Sequence, residues 1–326
     1  MSQQIPVSDL PPSGVAALAH WGVIRARGAD AAAFLHSQLT SDVASLGGSQ
    51  ARLAGWCSAK GRLLASFVAW RPADDEVLLA CSADLLASTL KRLRMFVLRA
   101  KCVLDDATAE VPLHGVACAD VGEAAAALGA EAARAAVWQR VEQGGASLVR
   151  LPDAAGRLRW LAAGPLPASV AALPPLAPGA WRWLEVASGV AVVEAATADR
   201  FVPQMLNYEL LGGVDFRKGC YPGQEVVARS QYRGTLKRRS LLFAHDGSAR
   251  AGQEVFHSDD PGQPAGEVVN AAAAPSGSLK APALALVELK FAALEAGTLH
   301  LGSADGAPLA PVAMPYEVPL RAVDPA

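Results

Sequence analysis

Apolar and polar positions alternate over residues 21–26, as in a half-buried strand, and Gly28 ends the run. Over 29–39 the period changes, and Phe34, Leu35 and Leu39 fall on one helical face. Residues 51–56 and 62–70 read as two strands joined by the turn C-S-A-K-G, with 77–81 a third. A basic amphipathic helix follows over 84–95, and 101–104 returns as strand. Strands mixed with two helices predict an α+β lobe spanning 1–110.

A second α+β lobe is expected over 111–235. L-H-G-V-A-C-A is strand-like, and the alanine-rich 122–136 is helical by propensity. Residues 147–151 and 157–162 pattern as a hairpin, and 164–179, with five prolines, as a loop. A helix over 181–188 closes at Gly189, and a shorter one over 203–211 closes at Gly212. After Gly234 the texture changes to short strands at 236–244, 253–256, 266–270, 284–290 and 298–301. That spacing predicts a small β-barrel over 236–326, with 271–278 as a loop inside it. There is no internal repeat.

Composition narrows the picture. The 326 residues are 52% hydrophobic and 18% charged, enough for several well-buried cores and unlike a disordered chain. A net charge of −2 argues against a broad basic surface for duplex nucleic acid. One local cluster, Arg229, Arg233, Lys237, Arg238 and Arg239, is either a binding patch or a solvated face. The polar, proline-containing opening residues do not pattern as a signal peptide, and no run of about 18 apolar residues predicts a membrane span. Five widely spread cysteines with no C-x-x-C pair argue against a disulfide framework or a self-contained metal site, and fit a reducing cytoplasm.

The candidate chemistry centres on residues 217–233. Cys220 sits among Arg217, Lys218, Gly219, Tyr221, Pro222, Gly223, Gln224 and Glu225, a poor setting for a packing cysteine. Pro222 suits the first turn of a helix continuing through G-Q-E-V-V-A-R-S-Q-Y. A thiol just before a helix N-terminus, beside two cations, is favoured as thiolate. Cys57, Cys81, Cys102 and Cys118 lie on or beside strand-like segments and read as buried.

K-G-C-Y-P-G-Q-E, residues 218–225, resembles the K-G-C-Y-x-G-Q-E signature of the YgfZ family. Those proteins are folate-binding relatives of the glycine-cleavage T-protein, linked to iron–sulfur protein maturation and tRNA modification. The resemblance runs in order through most of the chain and implies a multi-lobed, T-protein-like folate-binding fold ending in a β-barrel. It implies tetrahydrofolate or a derivative as cofactor, no tightly bound metal, a monomer, and iron–sulfur client or assembly proteins as partners. Direct nucleic-acid binding is not expected.

The same resemblance assigns site residues. Trp21, in H-W-G-V-I-R-A-R-G-A-D, and Trp183, in W-R-W-L-E-V-A-S-G, match folate-contacting tryptophans; by residue type alone each is either a core aromatic or a stacking wall. Asp42, in Q-L-T-S-D-V, matches the T-protein aspartate that faces the folate N10, although Ser41 replaces the usual Asn. Gln204 and Asn207, in F-V-P-Q-M-L-N, match a segment whose amides would meet a pterin. Glu194 lies where the relatives carry a folate-contacting acid, and Lys60 and Gly61 belong to a turn read here as a plain hairpin connection. Two functions follow: an accessory factor for assembly or repair of iron–sulfur enzymes, with Cys220 as transient ligand or thiol, or a folate-dependent aminomethyl transferase using Asp42.

Overall fold

The computed structural model describes residues 13–232, 236–275 and 281–320. Strand β1 (Gly14–Ala17) leads into β2 (Trp21–Arg27) and helix α1 (Ala31–Gln38). Next come β3 (Ala51–Cys57), β4 (Leu63–Ala73), β5 (Glu76–Ser82), α2 (Ala83–Arg94) and β6 (Val103–Asp106). Strands β2 to β6 form an antiparallel sheet in the order β3-β4-β5-β2-β6. Ile24, Phe67 and Trp70 are fully buried against it, with Phe34 and Leu35 of α1 and Leu90 and Leu93 of α2. Strand β2 does not keep the half-buried alternation read along 21–26: Gly22, Val23 and Ile24 are buried in succession, because both faces of the strand are covered.

The second sheet contains β7 (Leu113–Cys118), β8 (Arg140–Gln143), β9 (Ala146–Ala154) and β10 (Arg157–Ala163), in the order β1-β7-β10-β9-β8. Strand β1 therefore pairs with β7, away from the sheet that follows it in sequence. Helix α3 (Val121–Ala133), interrupted at Gly129, covers one face together with the short α4 (Ala168–Ala171). That α4 lies in the proline-rich stretch expected to be loop. Helix α5 (Pro178–Ala187) then packs between β1 and β9 on one side and the barrel on the other.

The expected helix over 203–211 is only a 3-10 turn, Pro203–Leu206, closed by Asn207 in the left-handed conformation at φ 61°. Helix α6 (Gln224–Tyr232) follows. The barrel is closed in the order β11-β14-β13-β12-β15-β16. Its strands are β11 (Arg238–His245), β12 (Glu254–His257), β13 (Asp260–Ala272), β14 (Ala283–Lys290), β15 (Leu299–Leu301) and β16 (Pro308–Val312). Phe243, Val255, Val287 and Leu289 fill its interior. The chain is α+β with a C-terminal barrel, as its patterning predicted.

Candidate functional site

Trp21 opens β2 opposite Ser82, the last residue of β5, at the point where the first sheet meets α5. Its ring is half-buried, and its Nε1 donates to Glu185 Oε1 at 2.8 Å. Trp181 Nε1 donates to the same oxygen at 2.8 Å, and His20 Nε2 lies 2.8 Å from Glu185 Oε2. Burial pushes the Glu185 carboxyl up, but His20, the Trp21 indole and the charge of Arg159 outweigh it, so its pKa is lowered. The group is ionised at neutral pH.

Beside this cluster is a cavity of about 230 Å³, lined by Trp21, Asp84, Arg182, Glu185, Glu194 and Asn270 among others. Glu194 Oε1 accepts from Arg182 Nη2 at 3.1 Å and from Asn270 Nδ2 at 3.3 Å. Burial raises the Glu194 pKa, the Arg182 charge opposes the rise, and nearby Asp84 adds to it. Asn270 also clamps Val192, accepting from its N–H at 2.9 Å and donating to its carbonyl at 2.8 Å. That clamp ties the loop after α5 to barrel strand β13. A narrower apolar slot of about 40 Å³ adjoins the cavity and shares Trp21, Glu185, Val190 and Val192 with it.

Of the residues expected here, Trp21 and Glu194 line the cavity. Trp183 does not: it is fully buried, and its Nε1 donates to Pro282 O at 2.8 Å, fastening α5 to the barrel. Helical geometry explains the correction, because residues two apart on a helix point to different sides. Trp181, its near neighbour on α5, reaches the slot, beside Trp21 and Trp138.

Gln204 and Asn207 are likewise internal. Gln204 Nε2 donates to Val227 O at 2.7 Å; Asn207 Nδ2 donates to Ser240 O at 2.9 Å, and its Oδ1 accepts from Arg239 at 3.1 Å. The Asn207 amide and the Gln204 amide nitrogen are spent joining the 3-10 turn to α6 and β11, whereas Gln204 Oε1 is buried without a partner among the described residues. Arg239 also pairs with Glu209 at 2.7 Å, and Arg238 with Glu288 at 2.5 Å. These pairings take Arg238 and Arg239 out of the cluster read as either a binding patch or a solvated face; Arg229 and Lys237 are exposed, and Arg233 lies outside the described residues. The i, i+4 spacing of Trp181 and Glu185 in W-R-W-L-E was the one local sign of the Glu185 cluster.

Cys220 occupies a separate surface. It is exposed, whereas Cys57, Cys81, Cys102 and Cys118 are buried. Helix α6 starts at Gln224, after Gly223 at φ 77°, so Pro222 stands in the preceding turn and not in the helix. Lys218 Nζ donates to His36 O at 2.6 Å and lies 4.8 Å from the centroid of the buried Tyr221 ring. Burial pulls the Lys218 pKa down to about 8 against the charges of Asp42, Asp215 and the thiol. Gly223 packs on Gly61 of the C-S-A-K-G turn, so that turn supports the thiol loop, while Lys60 is exposed.

Asp42 belongs to this second surface. Its Oδ1 is 2.8 Å from His36 Nδ1, and it accepts from the Ser45 N–H at 3.1 Å and the Ser45 hydroxyl at 2.5 Å. Burial acts to raise its pKa, and the Ser45 bonds with His36 and Arg52 more than offset that, leaving it lowered. Asp42 lines neither cavity at Trp21. Ser41 is buried and donates to Leu53 O at 2.6 Å. Among the described residues, no three His, Cys, Asp or Glu side chains are grouped to hold a metal ion.

No family model matches the chain. It is 34% identical over 282 residues to the tRNA-modifying protein YgfZ of Edwardsiella ictaluri, covering 76% of this chain and 78% of the relative. The protein of the same description from Colwellia psychrerythraea is 31% identical over 266 residues, with 79% of each chain covered. Among solved structures, glycine cleavage system aminomethyltransferase T from Bartonella henselae is similar at a TM-score of 0.71 and 16% identity, covering 95% of this chain and 87% of that one. At that identity the likeness is one of fold. With K-G-C-Y-P-G-Q-E carried around an exposed thiol, and identity to two curated members along most of its length, the chain belongs to the YgfZ family.

Proposed function

We propose that this chain is a folate-binding accessory factor for the assembly or repair of iron–sulfur enzymes, including those that modify tRNA, with Cys220 as its working thiol. The observation that carries the reading is the exposure of Cys220 on a loop braced by Lys218, Tyr221 and the Gly61–Gly223 contact. A thiolate so placed can reach the iron or sulfur of a partner. One thiolate does not hold a cluster, which takes about four ligands. The cluster is therefore cargo, and its other ligands come from the client protein or a small thiol. The description of the curated relatives as tRNA-modifying proteins supports the tRNA branch.

The cavity at Trp21 suits a reduced folate. An indole face is matched to a flat heteroaromatic ring. The amino-pyrimidine edge of a pterin offers parallel N–H donors, and Glu194 offers a carboxylate acceptor. Arg182, which gives one terminal nitrogen to Glu194, supplies further N–H donors for the ring oxygen. Aminomethyl transfer would need a carboxylate beside the folate, and Asp42 lies on the Cys220 side, held by His36 and Ser45. That location favours the accessory role. A cytoplasmic setting goes with five free cysteines, and no described helix is long and apolar enough to cross a membrane.

The test is complementation of a strain lacking its own family member, read as the level of a thiolated tRNA base. Loss with Cys220→Ala and retention with Asp42→Ala is the expected result. Loss with Asp42→Ala alone would favour one-carbon transfer.

A further inference from the structure

Arg159 on β10 is only 2% exposed, yet most of its hydrogen-bonding capacity is unused. A guanidinium has five N–H donors. Here Nε donates to Pro152 O at 3.0 Å, and the guanidinium carbon lies 5.4 Å from the Trp181 ring centroid. Among the described residues, no hydrogen bond or ion pair engages the two terminal nitrogens, and neither is sealed away from the slot that Arg159 lines. The other buried arginines differ. Arg140 holds Glu142, Ser147 and Gly48 O; Arg150 holds Asp153 and two carbonyls; Arg239 holds Glu209, Asn207 and Gln204 O.

The neighbouring carboxylate does not fill the gap. Glu185 contributes charge to Arg159, but its Oε1 is taken by Trp21 and Trp181 and its Oε2 by His20. Burial pulls the Arg159 pKa down to about 10, so the group remains a cation at neutral pH. A buried cation with one hydrogen bond is costly unless something pairs with it. The slot in front of it, walled by Leu18, Val68, Trp138, Leu161 and Trp181, measures about 40 Å³. A site needs about 10–15 Å³ on this measure to hold one water, so there is room for a carboxylate and not for a ring system.

We propose that Arg159 is the seat of a ligand carboxylate, received in the fork of its guanidinium at the end of the apolar slot. The carboxylate belongs either to a molecule whose ring occupies the adjoining cavity at Trp21 or to a separate small acid. The first source rests on the folate reading, since a folate carries glutamyl carboxylates at the end opposite its pterin. Apolar walls and one planar cation suit a carboxylate, which a guanidinium binds through two parallel hydrogen bonds; Glu185, which also lines the slot, has both oxygens engaged by Trp21, Trp181 and His20.

The experiment follows tryptophan fluorescence, because Trp21, Trp138 and Trp181 all line the slot. Tetrahydrofolate, the tail-less 6-methyltetrahydropterin and glutarate are titrated into the parent, Arg159→Met and Arg159→Lys. The parent should prefer tetrahydrofolate over the tail-less pterin by about 10- to 100-fold, the range for charge-assisted hydrogen bonds. Arg159→Met should erase that preference while leaving the pterin affinity in place, and Arg159→Lys should retain part of it. If neither pterin binds but glutarate quenches the parent and not Arg159→Met, the carboxylate seat stands and the folate reading falls. Equal binding of tetrahydrofolate to the parent and a folded Arg159→Met, without glutarate competition, overturns the proposal. Should Arg159→Met not fold, the parent decides: equal affinity for the two pterins with no glutarate competition, or no binding of any of the three, overturns it.

Discussion

Gly223 lies so close to Gly61 that a β-carbon on Gly223 would stand 2.6 Å from the Gly61 Cα, and would also strike the Ser58 carbonyl. Gly223 is at φ 77° and Gly61 at φ 70°, both in the left-handed region. Gly223→Ala should therefore destabilise the protein by about 2–3 kcal/mol through backbone strain and the clash. The lowered thermal midpoint should come with faster proteolysis between residues 217 and 224. An unchanged midpoint would mean that the two turns separate at no cost.

The cysteines should divide four to one. Burial pushes Cys57, Cys81 and Cys118 up to about 12, and raises Cys102 as well, so these remain protonated at pH 8. Iodoacetamide on native protein, read by peptide mass spectrometry, should label the exposed Cys220 first and the other four only after unfolding. Labelling of Cys220 only after unfolding would remove it as a working thiol.

Trp21 and Trp183 should separate binding from stability. Trp183→Ala empties a fully buried site and loses the bond to Pro282, at a cost of about 3–5 kcal/mol. Trp21→Ala, at a half-buried position, should cost less and abolish the quench by tetrahydrofolate. Normal folate binding by a folded Trp21→Ala variant would move the ligand elsewhere.

Lys218 should titrate as an unusually acidic amine. With its pKa near 8 in the folded protein against an ordinary 10.5, the unfolded chain binds more protons between those values. The cost of holding a cation there disappears as pH rises through about 8, so stability gains over pH 8 to 10.5. Lys218→Met should flatten that rise. Competitive acetylation should give Lys218 a midpoint near pH 8, well below the other lysines. Coincident midpoints would show that the ammonium is fully solvated.

Glu185→Leu should be far more damaging than Glu185→Gln. Leucine leaves two indole N–H groups and Arg159 without their acceptor or counter-charge, a loss of about 3–5 kcal/mol. Glutamine keeps one oxygen for both indoles and loses only charge. Chemical denaturation of the two variants measures the difference, and equal losses would show that the indole bonds contribute little.

Much of the fold was legible because period-two and period-3.6 patterns depend on near neighbours in sequence. The first sheet, the β9–β10 hairpin and most barrel strands were readable in that way. So was Cys220, whose flanking glycines, proline and charges are poor material for a core. Partnerships across long separations were not readable. Strand β1 joins β7 about a hundred residues on, and its four residues carry no sign of that choice. Asn207 and Gln204 have amides suited to a ligand; the arrival of β11 consumes that of Asn207, and α6 takes the amide nitrogen of Gln204. Tryptophans two residues apart face different sides of α5, so the helix's rotation sends Trp181 to the slot and Trp183 to the barrel. The cavity exists only where β2, α5 and β13 meet. Residue type states what a side chain can bond; only the packing of distant elements decides whether protein or ligand takes the bond.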